Sequence, residues 1–290
     1  MAPEKTVSLT LGSGGARGLA HIGVIHWLEE NGYGIRSISG CSMGALIGGI
    51  YAAGKLDVYT EWVRAISRTD ILKLLDIGFG TAGMVKGEKI INTLKDLVGD
   101  QLIEDLPLAF TAVASDIVNE KEVWLNKGSL FDAIRASISL PFFFTPARYQ
   151  GVELLDGGIL NPVPIAPTFS DNTALKIAVN LGGAVDTRIS APDLAGELKQ
   201  AKPDLMDRIS NFIDAIKGVD DEPGAGTLGM LDIADQSFDA MQGAIARQKL
   251  AAYPPDVIIE LPRNVCGMLE FDRADEMIEF GYQRAAEQLQ

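Results

Sequence analysis

Five residues, Gly40-Cys41-Ser42-Met43-Gly44, constrain this 290-residue chain more than any other stretch. They form a G-x-S-x-G turn between a short β-like run at 36–39 and a small-residue helical pattern at 45–53. A strand that turns into a helix within so few residues forces the central residue into a strained backbone, so both flanking positions must be small. The same turn lifts the serine hydroxyl to the carboxyl edge of a sheet, beside the amino end of a helix, where developing negative charge is favoured. Such a turn belongs to an α/β sheet.

The rest of the chain reads accordingly. Residues 6–11 form a β-branched and apolar run that ends at glycines, and 16–31 carry Leu19, Ile22, Gly23, Ile25, Trp27 and Leu28 at helical spacing. Further helices are expected at 57–67, with Asp57 as N-cap, at 90–98, and at 131–137, ended by the Leu140-Pro141 step. A last helix is expected at 272–288, with Asp272 as cap. Strands are expected at 108–114, 122–125, 151–155, 175–180 and 257–261. Alternation of this kind predicts one domain over 1–290, a mostly parallel sheet with helices on both faces. The stretch 183–229 breaks the rhythm. Its Leu194, Leu198, Ala201, Leu205, Ile209, Phe212, Ile213 and Ile216 share a helical face interrupted at Pro203. It reads as a helical insertion packed on the body, with a lipid-facing lid as the alternative.

Composition narrows the function classes. No run of 18 apolar residues is present, so no membrane-spanning helix is encoded. The N-terminus lacks the basic, apolar and small-residue order of a secretory signal. Cys41 and Cys266 have neither disulfide-framework nor metal-ligand spacing. A cytoplasmic location is the expectation. A net charge of −14 opposes nucleic-acid binding and attraction to anionic lipid, so contact with a membrane surface would rest on apolar burial.

A second glycine turn, Gly12-Ser13-Gly14-Gly15-Ala16-Arg17-Gly18, also follows a strand and precedes a helix. A dinucleotide fingerprint fails there: Arg17 stands at the third glycine position, and no acidic residue ends the second strand. The alternative is an oxyanion hole in which the Gly14 and Gly15 amides face a tetrahedral intermediate. One such donor is worth about 10² to 10³ in rate. The usual hydrolase order of serine, acid and histidine is impossible, because His21 and His26 are the only histidines and both precede Ser42. They lie about 140° apart on one predicted helix and read as packing or surface residues. A carboxylate is then the natural base. Asp156, ending a strand at Leu155-Asp156-Gly157-Gly158, is the candidate if apolar surroundings raise its pKa.

Taken in order, Gly12–Gly18, Gly40–Gly44 and Asp156–Gly158 resemble the signature blocks of the patatin-like phospholipase family, which includes a bacterial branch of small RssA-like proteins. Arg135-Ala136-Ser137-Ile138-Ser139-Leu140-Pro141 resembles a fourth block. The resemblance implies a three-layer α/β/α fold related to cytosolic phospholipase A2. It also implies a Ser42–Asp156 dyad without histidine, and an oxyanion hole from Gly14, Gly15 and Ala16, with Arg17 fixing the loop. It covers about residues 7–182 and resumes from 230, so nothing about a lid carries over.

Beside that resemblance, Arg17 and Arg135 read as caps of carbonyls or partners of carboxylates. Asp116 and Asn161 read as loop braces, Cys41 as a small buried filler, and one or two of Phe142, Phe143 and Phe144 as core. The expected chemistry is two-step acyl transfer on a lipid or fatty-acyl ester, without metal or organic cofactor. Three alternatives remain at this point. They are a short-chain esterase or thioesterase of the same chemistry, a non-catalytic binding or regulatory protein on the same fold, and a nucleotide-binding enzyme weakened by the failed glycine pattern.

Overall fold

The computed structural model describes residues 5–74, 85–141, 143–189 and 230–289. Its sheet is built from β1 (Lys5–Leu11), β2 (Tyr33–Cys41), β3 (Ala109–Asp116), β4 (Lys121–Leu125), β5 (Ala147–Tyr149), β6 (Val152–Asp156), β7 (Leu175–Gly183) and β8 (Val257–Pro262). The helices are α1 (Ala20–Glu30), α2 (Met43–Ala52), α3 (Leu56–Ala65), α4 (Arg68–Leu74), α5 (Glu88–Val98), α6 (Leu130–Ser137), α7 (Met230–Ala252) and α8 (Ala274–Leu289). Strands β3, β2, β1, β7 and β8 run parallel in that order, whereas β4 and β6 pair antiparallel with β3, and β5 with β6. The mixed sheet with helices is the α/β fold expected. The helical face proposed within 183–229 lies outside the described residues, apart from 183–189.

Strand alternation assigns the two faces of the sheet different jobs. Val7, Leu9 and Leu11 of β1, Ile38 of β2 and Ile177 and Val179 of β7 point into the main core, which α1, α2 and α8 complete. Each fully buried Leu or Ile there contributes roughly 1.5–3 kcal/mol. Helices α1 and α8 meet backbone to backbone. A Cβ on Gly23 would lie 1.8 Å from the Ile278 carbonyl, and one on Gly281 2.0 Å from that of Ala20. On the other face Ser8, Thr10, Ser37 and Ser39 are buried. The segment after β6 answers them: Ser8 donates to Asp171 at 3.0 Å and Ser39 to the Pro164 carbonyl at 2.5 Å. A smaller core of Val163, Ile165, Ala178 and Ala246 seats α7 there.

Several local expectations are corrected. Asp57 is not an N-cap: Lys55 holds that place, because burial of Leu56 draws the helix start forward and leaves Asp57 in the first turn. Asp272 is not a cap either, since 271–273 form a 3-10 turn and α8 begins at Ala274. The helix expected at 16–31 divides into a 3-10 turn, Gly15–Leu19, and α1. Strand β5 escaped the sequence reading; among the described residues its three residues pair only with β6. No helix among the described residues is long and apolar enough to cross a membrane.

Candidate active site

The ladders on β3 place the two candidate loops. Ala112 and Val113 pair with β4 on one side and with β2 on the other, while Ala114 and Ser115 pair with β4 and with β6. A strand has only two edges, so β2 and β6 share one edge of β3, end to end. Cys41 stands opposite Val113, and Asp156 opposite the next residue, Ala114. Where β2 leaves the sheet at Ser42, β6 arrives with Asp156. The serine and the aspartate, 114 positions apart in sequence, are thereby set side by side.

Ser42 is the single residue between β2 and α2, with φ 53° and ψ −125°. A residue other than glycine in that left-handed region costs about 1–3 kcal/mol. Both flanking glycines are required by close approach: a Cβ on Gly44 would lie 2.0 Å from the Leu11 carbonyl oxygen, and one on Gly40 2.4 Å from Gly44 itself. The Ser42 amide donates to Ser137 Oγ at 3.0 Å, and Ser137 in turn donates to the Val113 carbonyl at 2.6 Å.

Asp156 is fully buried. Its Oδ1 accepts the Gly158 amide at 2.7 Å, whereas Oδ2 is buried without a hydrogen-bond partner among the described residues. Burial pushes its pKa up to about 6, against the opposing pull of the Ser42 hydroxyl and the Gly158 amide. His21, by contrast, is held neutral. Burial lowers its pKa to about 4, and its Nε2 is 2.9 Å from the Gly12 carbonyl oxygen. His26 is partly exposed beside Asp57 at 3.9 Å.

In the glycine loop the amides of Gly12, Ser13 and Ala16 donate to the carbonyls of Val179, Pro162 and Met268. Ala16 is therefore not free to offer its amide to an oxyanion, and Gly14 and Gly15 remain as the candidate donors. Arg17, 4% exposed, donates to the Gly14 carbonyl at 3.1 Å and the Arg263 carbonyl at 2.6 Å, and pairs with Asp239 of α7 at 3.2 Å. Gln242, one turn further along α7, is 3.5 Å from Ser13 Oγ. Arg135 donates to Ser139 Oγ, to the Lys86 carbonyl and to Thr145, with the Phe144 ring under its guanidinium. Both arginines thus hold protein groups.

Asn161 and Asp116 are braces. Asn161 reaches Glu122, which also takes Lys249 of α7, and Asp116 accepts the Asn119 amide and side chain. Phe143 and Phe144 meet edge to face and are half-buried; Phe142 lies outside the described residues. The Cys41 thiol is fully buried and donates to the Pro162 carbonyl; burial, with the Asp156 charge behind it, pushes its pKa well up. Sequence reasoning singled out neither Ser137, Asp239 nor Gln242. Only the Arg-Ala-Ser block carried a signal, and it named no role for its serine. Among the described residues no group of three His, Cys, Asp or Glu is placed to hold a metal.

Fold and site define an α/β protein that presents a serine on a strained strand–helix turn next to a buried aspartate. Residues 9–169 match the patatin-like phospholipase family. The chain is 39% identical to an uncharacterized NTE family protein of Mycobacterium tuberculosis, over 98% of this chain and 91% of that one. It is also 29% identical to lysophospholipase NTE1 of Pyricularia oryzae and 32% identical to neuropathy target esterase sws of Drosophila melanogaster. These matches span 99% and 66% of this chain but only 18% and 14% of those much longer proteins. The chain belongs to the patatin-like phospholipase family and is a lipid ester hydrolase.

Proposed function

We propose that the protein is a serine lipid acyl hydrolase, of phospholipase A or lysophospholipase type, in which Ser42 is the nucleophile and Asp156 its general base. The observation that carries this reading is the shared edge of β3, which brings a strained serine to a buried carboxyl whose pKa is raised to about 6 and whose Oδ2 has no hydrogen-bond partner among the described residues. Asp156 takes the hydroxyl proton while Ser42 Oγ attacks the ester carbonyl. The amides of Gly14 and Gly15 receive the oxyanion, and Arg17 holds the loop through the Gly14 carbonyl. The alcohol or lysolipid leaves with a proton, and water activated by the same aspartate releases the acid. A role for histidine is disfavoured by the tie between His21 and Gly12.

The β3–β4 turn adds a reason to expect contact with a lipid surface. Ile117 lies three residues beyond Ala114, about 10 Å past the level of Asp156 at strand rise. Ile117 and Val118 are 49% and 83% exposed at that tip, where turns ordinarily place polar residues. With a net charge of −14, the surface that suits this tip is an uncharged or zwitterionic one.

The test is hydrolysis of p-nitrophenyl esters of graded chain length and of lysophosphatidylcholine by the wild type, Ser42→Ala and Asp156→Asn. Loss in both variants supports the dyad, and the chain-length optimum separates a lipase from a short-chain esterase. Activity that persists without Ser42 sinks the mechanism.

A further inference from the structure

We infer that Ser137 is a positioning residue that sets the angle of the nucleophile by gripping the Ser42 amide. The inference rests on the reading of Ser42 as nucleophile. Four observations carry it. Ser42 has a backbone conformation that its own side chain disfavours, so something outside the turn must over-determine it. The hydroxyl of Ser137, at the last residue of α6, accepts the Ser42 amide at 3.0 Å and donates to the Val113 carbonyl at 2.6 Å. Val113 is the ladder partner of Cys41, so the hydroxyl bridges the elbow to the strand beside it. Ser137 is fully buried, and this pair of bonds uses both its donor and an acceptor site.

The same short segment also touches the other half of the site. Two residues on, the Ser139 carbonyl accepts the Asp156 amide at 2.9 Å, and Arg135 holds Ser139 Oγ at 2.6 Å. The end of α6 is thus a single brace with one contact on each candidate loop. Removing the Ser137 hydroxyl leaves the half-buried Ser42 amide without this acceptor and lets the turn relax. A relaxed turn moves Oγ relative to the oxyanion donors, and a displacement of about 1 Å can cost about 10²-fold in rate. Burial, the main cause of the raised Asp156 pKa, is left in place by the substitution.

The experiment compares Ser137→Ala and Ser137→Thr with the wild type. It measures kcat and KM on a soluble p-nitrophenyl ester, the pH profile of kcat, the rate of fluorophosphonate labelling at Ser42 read by mass spectrometry, and thermal unfolding. Ser137→Ala is expected to lower kcat by about 10- to 100-fold with KM within about twofold. Labelling should slow in parallel, and the acid limb should stay near pH 6. Ser137→Thr, which keeps the hydroxyl, is expected to recover most of the rate. Wild-type kcat in Ser137→Ala overturns the inference, as does an equal loss in Ala and Thr variants that both remain folded. Should Ser137→Ala not fold, Ser137→Cys keeps the volume with a weaker acceptor and the same comparison decides. A wild type that hydrolyses the ester without labelling at Ser42 fails at the reading of the nucleophile itself, and the inference falls with it.

Discussion

The turn that bears Ser42 and the turn that bears Asp156 adjoin the same edge of β3, yet each is shaped by a different force. Ser42 is prepared by geometry: a left-handed backbone, two glycines packed against neighbouring carbonyls, and an amide held by Ser137. Asp156 is prepared by solvation. Its backbone is ordinary, with φ −50°, but full burial raises its pKa toward neutrality. The lesson is that a two-residue mechanism divides its cost in two. In the proposed dyad, backbone strain aims the nucleophile and desolvation strengthens the hold of the base on a proton.

The largest effect is expected where either half is removed outright. Ser42→Ala and Asp156→Asn should each lower kcat by at least about 10³-fold, and the double variant little further, because the two act as a unit. A product of the two single losses in the double variant would break the comparison. Next comes Gly44→Ala, which attacks the geometric half alone. Its Cβ would meet the Leu11 carbonyl at 2.0 Å, so kcat should fall by about 10²-fold together with thermal stability. Wild-type kinetics and melting in that variant would remove the case for close packing at the elbow.

The solvation half is read by pH. The proposed base acts as the carboxylate, so kcat should fall about tenfold per unit as pH drops below about 6. A rate that stays flat down to pH 4.5 would mean the base is another group. Stability runs the opposite way. The native aspartate holds its proton up to about pH 6, whereas the unfolded one releases it near 3.8. Between those values the unfolded state binds fewer protons, so stability falls as pH rises through the window. Asp156→Asn should therefore melt at a higher temperature than the wild type at pH 8, and that advantage should shrink toward pH 4. The smallest effect is expected outside both turns. Val118→Asp should leave turnover of a soluble ester unchanged and reduce sedimentation with phosphatidylcholine vesicles several-fold; equal vesicle binding would free the tip of that role.

Much of the candidate site was legible because its requirements are local. A sharp strand–helix turn demands glycines at fixed spacing, and a chain whose only histidines precede Ser42 cannot use the usual hydrolase order. The α/β class was equally legible from alternating strand and helix patterns. The caps misread at Asp57 and Asp272 fail for a different reason: burial of Leu56 and the 3-10 turn ahead of α8 override a weak side-chain preference. The Ala16 amide could be listed from its loop as an oxyanion donor, but its engagement by Met268, some 250 residues away, could not be foreseen.

The sequence by itself determined which residues are candidates for the chemistry, since residue type and spacing fix what a turn can hold. Only the tertiary structure decided that β6 docks where β2 departs, that Asp156 is fully buried, that α6 braces the Ser42 turn through Ser137, and that α7 braces the glycine loop through Asp239 and Gln242. The physical reason is that edge sharing, desolvation and bracing are properties of contacts between distant segments. A pKa near 6 is set by what the whole chain folds around the carboxyl.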